Sequence, residues 1–390
     1  MTPPARTQAA IELLDQVITA AEDNGAAADT LIQRYFATRR YAGSKDRRAV
    51  RELVYAAIRA HGEVPPSGRA AVAGLATDGN DMAWLTPDLF DGSAHGPAPL
   101  TADDVIARPA PFNGWAAKRV AATLGQDAMS ALLARAPLDL RVNTLLGDPD
   151  QLARELEAER IPGLPAALRL SAGADVTAFA GRVEVQDAGS QVVTLAARAE
   201  PGQRIVDLCA GGGGKALALA AAMGNQGAII ATDTDRGRLS RLLPRAERAG
   251  ASIIETRLLN PGSEREALAG VQADTVLIDA PCSDTGTWRR NPEARWRLTP
   301  DRLKRLTATQ ARLLDIGSGL VRPGGALAYI VCSLLDEEGA DQAAAFAARA
   351  GFTPEPLDLP LGRAHGPGWR LDPAHDGTDG FFVARLRAPC

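Results

Sequence analysis

Two cysteines stand at the ends of two apolar, β-rich runs. Val276-Leu-Ile-Asp-Ala-Pro-Cys-Ser-Asp-Thr-Gly286 carries Cys282, and Ala326-Leu-Ala-Tyr-Ile-Val-Cys-Ser-Leu-Leu-Asp-Glu-Glu338 carries Cys332. A lone buried cysteine is usually core filler, which is the plainer reading of the Cys209 side chain. Two cysteines that each cap a strand over one crevice point instead to thiol chemistry. The third feature is Asp207-Leu-Cys-Ala-Gly-Gly-Gly-Gly-Lys215, which follows an apolar strand and opens a helix. Glycines there let the backbone turn tightly and approach a ligand that a Cβ would obstruct. A phosphate-binding P-loop is excluded, because Lys215 is followed by Ala216 and the spacing is wrong. The next strand, Ile229-Ile-Ala-Thr-Asp233, ends on an acid that suits ribose hydroxyls, so an adenosine-containing cofactor fits, NAD or S-adenosylmethionine alike.

Carbon 5 of cytosine is a poor nucleophile toward a methyl sulfonium. A thiolate that adds to carbon 6 makes carbon 5 carbanion-like, able to attack the methyl group. A second group must then help remove the carbon-5 proton and expel the enzyme, while an acid near ring nitrogen 3 stabilises the adduct. Two thiols and Asp279 together supply those three roles.

The elements that must position these residues follow from hydrophobic pattern. After Pro201, apolar runs at Arg204–Cys209, Ala228–Thr232, Ser252–Thr256, Thr275–Asp279 and Ala326–Cys332 alternate with helical patterns at Lys215–Met223, Arg236–Ala249, Asp301–Leu320 and Glu337–Ala348. That alternation predicts an α/β domain with a doubly wound parallel sheet, whose ligands sit beyond the carboxyl ends of the strands. The first sixty residues read as helices, with apolar stripes at Ile11–Ile18 and Val50–Ile58. The stretch Pro65–Pro111 is rich in Gly, Pro and Asp, with one short candidate helix at Met82–Phe90. A helical pair near Ala116–Ala136 precedes short strands at Leu138–Val142 and Val183–Val185 around a helix at Pro149–Arg160.

Taken together, DLCAGGGGK, DAPCSDTG, VCSLLDEE and His375-Asp-Gly-Thr-Asp-Gly-Phe-Phe-Val-Ala-Arg385 resemble the Sun-type (Nop/Nol/Sun) RNA cytosine-5 methyltransferases, with the bacterial 16S rRNA branch nearest. Pro137-Leu-Asp-Leu-Arg-Val-Asn143 and Val185-Gln-Asp-Ala-Gly-Ser-Gln191 resemble that family's small RNA-binding subdomain, and Asp46–Arg59 its NusB-like helical domain. The resemblance implies a class I Rossmann-like methyltransferase sheet at 189–390, a helical NusB-like domain at 1–106 and a small α+β RNA-binding subdomain at 107–188. It implies S-adenosylmethionine as cofactor and RNA as partner, rRNA first and tRNA second. By residue it implies Cys332 as nucleophile and Cys282 as the aid to release, with Asp279 and Lys215 completing the catalytic set. Cys209, Ala210, Gly211, Gly212, Gly213, Gly214 and Lys215 would hold the methionine part of the cofactor, Asp233 the ribose, and Asp279 would lie between cofactor and base. Three departures stand out. Gly211-Gly212 replaces the usual Ala-Pro, and Asp284 replaces the usual Gly or Ala after Pro-Cys-Ser. Asn260 stands where an acid usually follows the third strand.

Composition sets the outer bounds. At 390 residues the chain is too long for one compact core. Hydrophobic residues at 46% and charged residues at 23% are ordinary globular values, so no disordered body is expected. No apolar stretch is long enough for a membrane span and no signal-peptide core is visible, so a cytoplasmic protein and a monomer are expected. The four cysteines form no CxxC pair and the four histidines are scattered, so no metal is expected. The net charge of −4 hides two basic segments. Arg34–Arg59 holds eight Lys/Arg against Asp46 and Glu52, and Arg289–Arg305 holds seven against Glu293 and Asp301. Either could meet RNA phosphates, or be a solvated helix face. Retention of both cysteines and Asp279 disfavours a non-catalytic RNA-binding factor, and the second cysteine disfavours a DNA cytosine methyltransferase.

Overall fold

The computed structural model describes residues 1–23, 25–78, 82 and 84–390. They form two compact units, one built from Met1–Leu133 with Arg290–Arg302, the other from Ala134–Arg289 with Leu303–Cys390.

The first unit is helical: α1 Pro3–Glu22, α2 Ala28–Ala37, α3 Ser44–Ala60, α4 Gly68–Asp78 and α5 Trp115–Leu124. Its core takes Leu13, Leu14 and Val17 from α1 and Val50, Leu53, Val54 and Ile58 from α3, the two stripes that 3.6-residue periodicity predicts. Helix α4 breaks the expectation of a loop after Pro65. Its sequence, GRAAVAGLATD, has no polar face and is buried almost throughout, so no amphipathic period marks it. Its glycines permit the burial: a Cβ on Gly68 would come within 2.3 Å of the Ile11 carbonyl oxygen, and one on Gly74 within 1.8 Å of that of Ala107. The expected helix at Met82–Phe90 falls partly on Ala83, outside the described residues; beyond it only Pro87–Leu89 forms a 3₁₀ turn.

The second unit carries two sheets. The smaller is antiparallel, in the order β2 (Glu159–Arg160), β3 (Ala167–Leu170), β1 (Leu138–Val142), β4 (Val183–Val185). The polar residues of the Pro137–Asn143 motif face inward. Asp139 receives Arg169 at 2.7 and 2.9 Å and the Ala188 amide at 3.0 Å. Asn143 donates to the carbonyls of Gly181 and Ala249, each at 2.8 Å, and so ties this sheet to the larger one.

The larger sheet holds β5 (Arg204–Asp207), β6 (Ala228–Asp233), β7 (Ile254–Leu258), β8 (Ala273–Asp279) and β9 (Val321–Val331), followed by β10 (Thr353–Glu355), β11 (Arg363–His365), β12 (Gly368–Leu371) and β13 (Phe381–Arg387). Its order is β11-β12-β13-β9-β8-β5-β6-β7, with β10 alongside β13. Strands β5 to β9 are parallel, and Ile205, Val206, Val276, Leu277, Ile278 and Leu327–Val331 are buried, as strands covered on both faces require. The doubly wound parallel sheet carries one antiparallel edge, where β13 runs antiparallel to β9 and the β11–β12 hairpin follows. The expected helix Arg236–Ala249 is two, Arg236–Leu239 and Leu242–Arg248. Pro244 lacks the N–H that a continuous helix would need there, and it sits in the first turn of the second piece, where proline is tolerated.

Candidate functional site

The chain winds from β5 outward through β6 to β7, then returns to β8 on the other side of β5. This reversal opens a crevice at the carboxyl ends of β5 and β8, where such sheets bind ligands. The residues singled out from sequence, apart from Asn260, gather around it.

The glycine loop turns directly after β5. Gly211 and Gly213 have φ of 54° and 85°, left-handed values that carry no penalty without a side chain. A Cβ on Gly213 would come within 2.0 Å of the Leu242 side chain. Ala210 donates to the Thr232 carbonyl at 2.8 Å, and Gly211 donates to Asp233 Oδ2 at 2.8 Å, so the loop is stitched to the end of β6. Two arginines brace it from the following helices. Arg238 would meet a Gly211 Cβ at 2.7 Å, and Arg245 bonds both the Gly212 carbonyl and Glu184 of β4. The Gly211-Gly212 departure is thus matched by guanidinium groups occupying the space beside it. Cys209 is half-buried against the core, and it enters the crevice wall through its backbone.

Lys215, in the first turn of the helix Gly214–Ala222, extends to Asp279 at the end of β8, with Nζ 2.6 Å from Oδ2. Burial pulls the ammonium down, but the Asp279 charge and hydrogen bond outweigh it and hold Lys215 protonated. Asp207, fully buried at the end of β5, has no side-chain partner for either carboxylate oxygen. Burial pushes its carboxyl up to about 7, the Asp279 and Asp233 charges add to this, and Lys215 opposes it. Asp233 and Asp279 therefore outnumber the lysine, and Asp207 adds full negative charge only above about pH 7. That excess of negative charge suits a cationic ligand, and Asp233 at the rim suits a polyol.

The two thiols meet. Cys282 Sγ lies 3.3 Å from Cys332 Sγ, and the parallel pairing of β8 with β9, Asp279 opposite Ile330, brings them there. Cys332 Sγ also donates to Asp284 Oδ1 at 3.1 Å, with Cys282 Sγ 3.8 Å from the same oxygen. The hydrogen bond with Cys282 and burial raise Cys332 well above the usual thiol range, and the Asp284 and Asp279 charges act the same way. For Cys282, the hydrogen bond with Cys332 lowers the thiol. Burial and the charges of Asp284 and Glu338 overcome this and push it up to about 11. Both sulfurs therefore rest as thiols and must lose a proton to react. The ligand atoms of Cys282, Asp284 and Cys332 lie within 4.8 Å of one another, a spacing that a soft cation could also use.

A residue not singled out from sequence holds the thiols in place. Glu338, completely buried, accepts from the Ser283 amide at 2.9 Å, the Ser283 hydroxyl, the Ser333 hydroxyl at 2.5 Å and Gln310 Nε2 at 3.0 Å. Ser283 and Ser333 are the residues directly after the two cysteines, so one carboxylate clamps both cysteine-bearing turns. Thr285 adds a bond to Ser333 at 3.0 Å and receives the Leu334 amide at 2.9 Å. The signal was present in the second glutamate of VCSLLDEE and in the serine that follows each cysteine. The C-terminal motif closes the turn after Cys282: a Cβ on Gly286 would lie 2.0 Å from the Gly380 oxygen, and Arg289 bonds the Gly377 and Thr378 carbonyls and pairs with Asp379 at 3.1 Å.

Asn260 is exposed just beyond β7, where the Leu259 amide donates to the Asp233 carbonyl at 2.9 Å. Its place is therefore beside the end of β6, next to Asp233. Within the second basic segment Lys304 and Arg305 are exposed, whereas Arg289, Arg295 and Arg297 make internal hydrogen bonds. Arg289 and Arg295 are buried. Arg295 donates to the carbonyls of Pro111, Ile58, Arg59 and His61 at 2.6–3.3 Å, and Arg297 donates to those of Gly25 and Ala26. They satisfy backbone acceptors at helix ends within the first unit.

Among known proteins, the family model described as 16S rRNA methyltransferase RsmB/F matches residues 193–387, half of the chain. The ribosomal RNA small subunit methyltransferase B of Klebsiella pneumoniae is 36% identical over 270 residues, 67% of this chain and 62% of that protein. Its counterpart from Xylella fastidiosa strain 9a5c is 36% identical over 298 residues, 72% of this chain and 70% of that one. The match thus spans about three-fifths of the length of the first of these relatives. Among solved structures, that of PH0851 superposes with a TM-score of 0.79 over 99% of both chains at 24% identity. A methyltransferase homolog protein from Pyrococcus horikoshii gives 0.62 at 27% identity over 70% of this chain and 94% of its own. Fold, paired cysteines and sequence similarity agree: the chain belongs to the 16S rRNA methyltransferase RsmB/F family.

Proposed function

We propose that this chain is an S-adenosylmethionine-dependent RNA cytosine-C5 methyltransferase acting on rRNA, with Cys332 as nucleophile. The observation that carries the reading is the pair of thiols 3.3 Å apart, each ending one of two adjacent parallel strands beside the Lys215–Asp279 pair. The names of the relatives support rRNA as substrate, and tRNA is the alternative RNA.

The crevice fits the cofactor by charge, since Asp233 and Asp279 outnumber Lys215 and favour a ligand bearing sulfonium and ammonium groups. When bound, the cofactor supplies an electrophilic methyl group. The loop Cys209–Gly214 would hold its methionine part and Asp233 its ribose, with Asn260 beside that rim. Cys332 adds through sulfur to carbon 6, and the electron pair displaced to carbon 5 takes the methyl group. Asp279, fixed by Lys215, faces the ring and stabilises the adduct. Cys282, once its own proton has passed to solvent, takes the carbon-5 proton, the ring double bond re-forms and the bond to Cys332 breaks. Both thiols come from a single chain, so a monomer suffices, and no step requires a metal. The helical unit and the small sheet near 107–188 would bind the RNA around the target base. No described helix is long and apolar enough to cross a membrane, and a cytoplasmic site of action fits a ribosomal substrate.

The two thiols fail differently, which gives the test. Cys332→Ala should abolish both methyl transfer and covalent RNA adduct. Cys282→Ala should still attack and methylate but stall at release, leaving protein joined to RNA on a denaturing gel. The reverse pattern would exchange the two roles, and methylation by Cys332→Ala at the parent rate would remove the thiol mechanism.

A further inference from the structure

Resting on that reading, we infer that Asp284 is the proton acceptor for Cys332. Its carboxylate takes the thiol proton as sulfur adds to carbon 6 and returns it as sulfur departs. Three observations converge. Asp284 Oδ1 is the acceptor for the Cys332 thiol at 3.1 Å, and the neighbouring thiol lies 3.8 Å from the same oxygen. The other nearby carboxylates are committed: Asp279 to Lys215 at 2.6 Å, and Glu338 to Ser283, Ser333 and Gln310. Finally, Asp284 holds a left-handed backbone, φ 58° and ψ 23°, which glycine would adopt without penalty. The position tolerates an unfavourable residue type and gains a carboxylate aimed at the nucleophile.

The attack balances without an outside base. The S–H bond breaks as S–C6 forms, the proton moves to Asp284, and the ring electrons shift to carbon 5 to accept the methyl group. At release Cys282, having given its own proton to solvent, takes the carbon-5 proton. The C–H electrons re-form the ring double bond, the S–C6 electrons return to sulfur, and sulfur recovers its proton from Asp284. The one proton released overall is the one Cys282 passed to water. Because a neutral thiol enters and a neutral acid results, attack never places a thiolate beside Asp207, Asp233 and Asp279.

The test separates this role from a purely electrostatic one by sign. Removing a neighbouring negative charge makes a thiol easier to ionise, so a bystander carboxylate replaced by Asn would leave Cys332 more reactive. Adduct formation on unmodified 16S rRNA transcript with saturating S-adenosylmethionine is followed in the Cys282→Ala background, with and without Asp284→Asn. The Asn variant should form adduct about 100-fold more slowly at pH 7, the usual scale of general-base catalysis, and recover as pH rises. Its Cys332 should meanwhile be alkylated by iodoacetamide at lower pH than in the parent. Asp284→Gly, which relaxes the backbone, should show the same deficit and so exclude misfolding of the turn. An Asn variant as fast as its parent, or faster, at pH 7 overturns the role of Asp284. A parent that forms no adduct at all overturns the underlying reading as well.

Discussion

Two stretches of this chain look alike in composition and differ in whether their arginines turn inward. Both Arg34–Arg59 and Arg289–Arg305 are dense in cations. In the first, Arg34, Arg40, Lys45, Arg47, Arg48 and Arg51 are exposed, and Tyr41 between them is 72% exposed. In the second, Arg289 and Arg295 lie at 5% and 2% exposure among carbonyl oxygens. The difference lies in the acceptors each run meets. Helix ends and turns present unpaired carbonyls, and a guanidinium with five fixed donors satisfies several at once. Burial lowers Arg295 to about 10, so it remains charged at neutral pH. A charge run thus becomes a nucleic-acid surface or a structural clamp according to the carbonyls the fold leaves bare.

The sharpest way to break this contrast is Arg295→Ala. It strips hydrogen bonds from five carbonyls and should cost the helical unit about 4 kcal/mol, read by urea unfolding. A loss below about 1 kcal/mol would return Arg295 to the surface class. Arg289→Ala leaves Asp379 buried without its ion partner and should cost about 3 kcal/mol in the other unit. Restoration by Asp379→Asn in the same chain would locate that loss in the unpaired charge.

Asp207 tests the converse, a buried charge lacking such partners. Its folded carboxyl titrates near 7 against 3.8 unfolded, so the native state binds the extra proton between those values. The stability it contributes is present below about pH 4 and lost as pH rises through 7. Unfolding free energy compared at about pH 5 and pH 8 should fall with pH in the parent and flatten in Asp207→Asn. An unchanged pH dependence would mean that Asp207 is ionised throughout.

The smallest stability effect belongs to the exposed run. Replacing Arg40, Lys45 and Arg48 with Ala should shift stability by no more than about 0.5 kcal/mol each. It should nonetheless reduce the log–log salt slope of RNA binding by about 0.7 for each phosphate no longer neutralised. An unaltered slope would make that face merely solvated.

Much of the sheet-bearing unit was legible in the sequence because its signals are local. Apolar strands buried on both faces read as continuous runs, and a glycine loop between strand and helix reads as a close backbone approach. Cysteines at equivalent strand ends read as neighbours. What escaped depends on partners distant in sequence. Helix α4 has no polar face to give it a period, and Glu338 gains its meaning only when Ser283, 55 positions earlier, folds back onto it. Asp284 could be noted as a departure near a thiol, but its 3.1 Å hydrogen bond from Cys332 spans 48 residues. The antiparallel edge was missed because short strands separated by Gly-rich turns resemble loops until a neighbour pairs with them.

The helical unit is discontinuous in sequence, and synthesis on the ribosome gives that a temporal meaning. Its first piece ends at Leu133, and the 156 residues of Ala134–Arg289 must be translated before Arg290–Arg302 arrives. At typical elongation of about 5–20 residues per second, that is roughly 8–30 s. Throughout that interval the carbonyls of Ile58 and His61 lack the guanidinium that later satisfies them, and Trp296 has not yet joined the core. The nascent N-terminal helices therefore wait, incompletely stabilised and open to proteases, for the chain segment that follows the Cys282 turn. Completion of the helical unit is thus chained to translation of the sheet-bearing one.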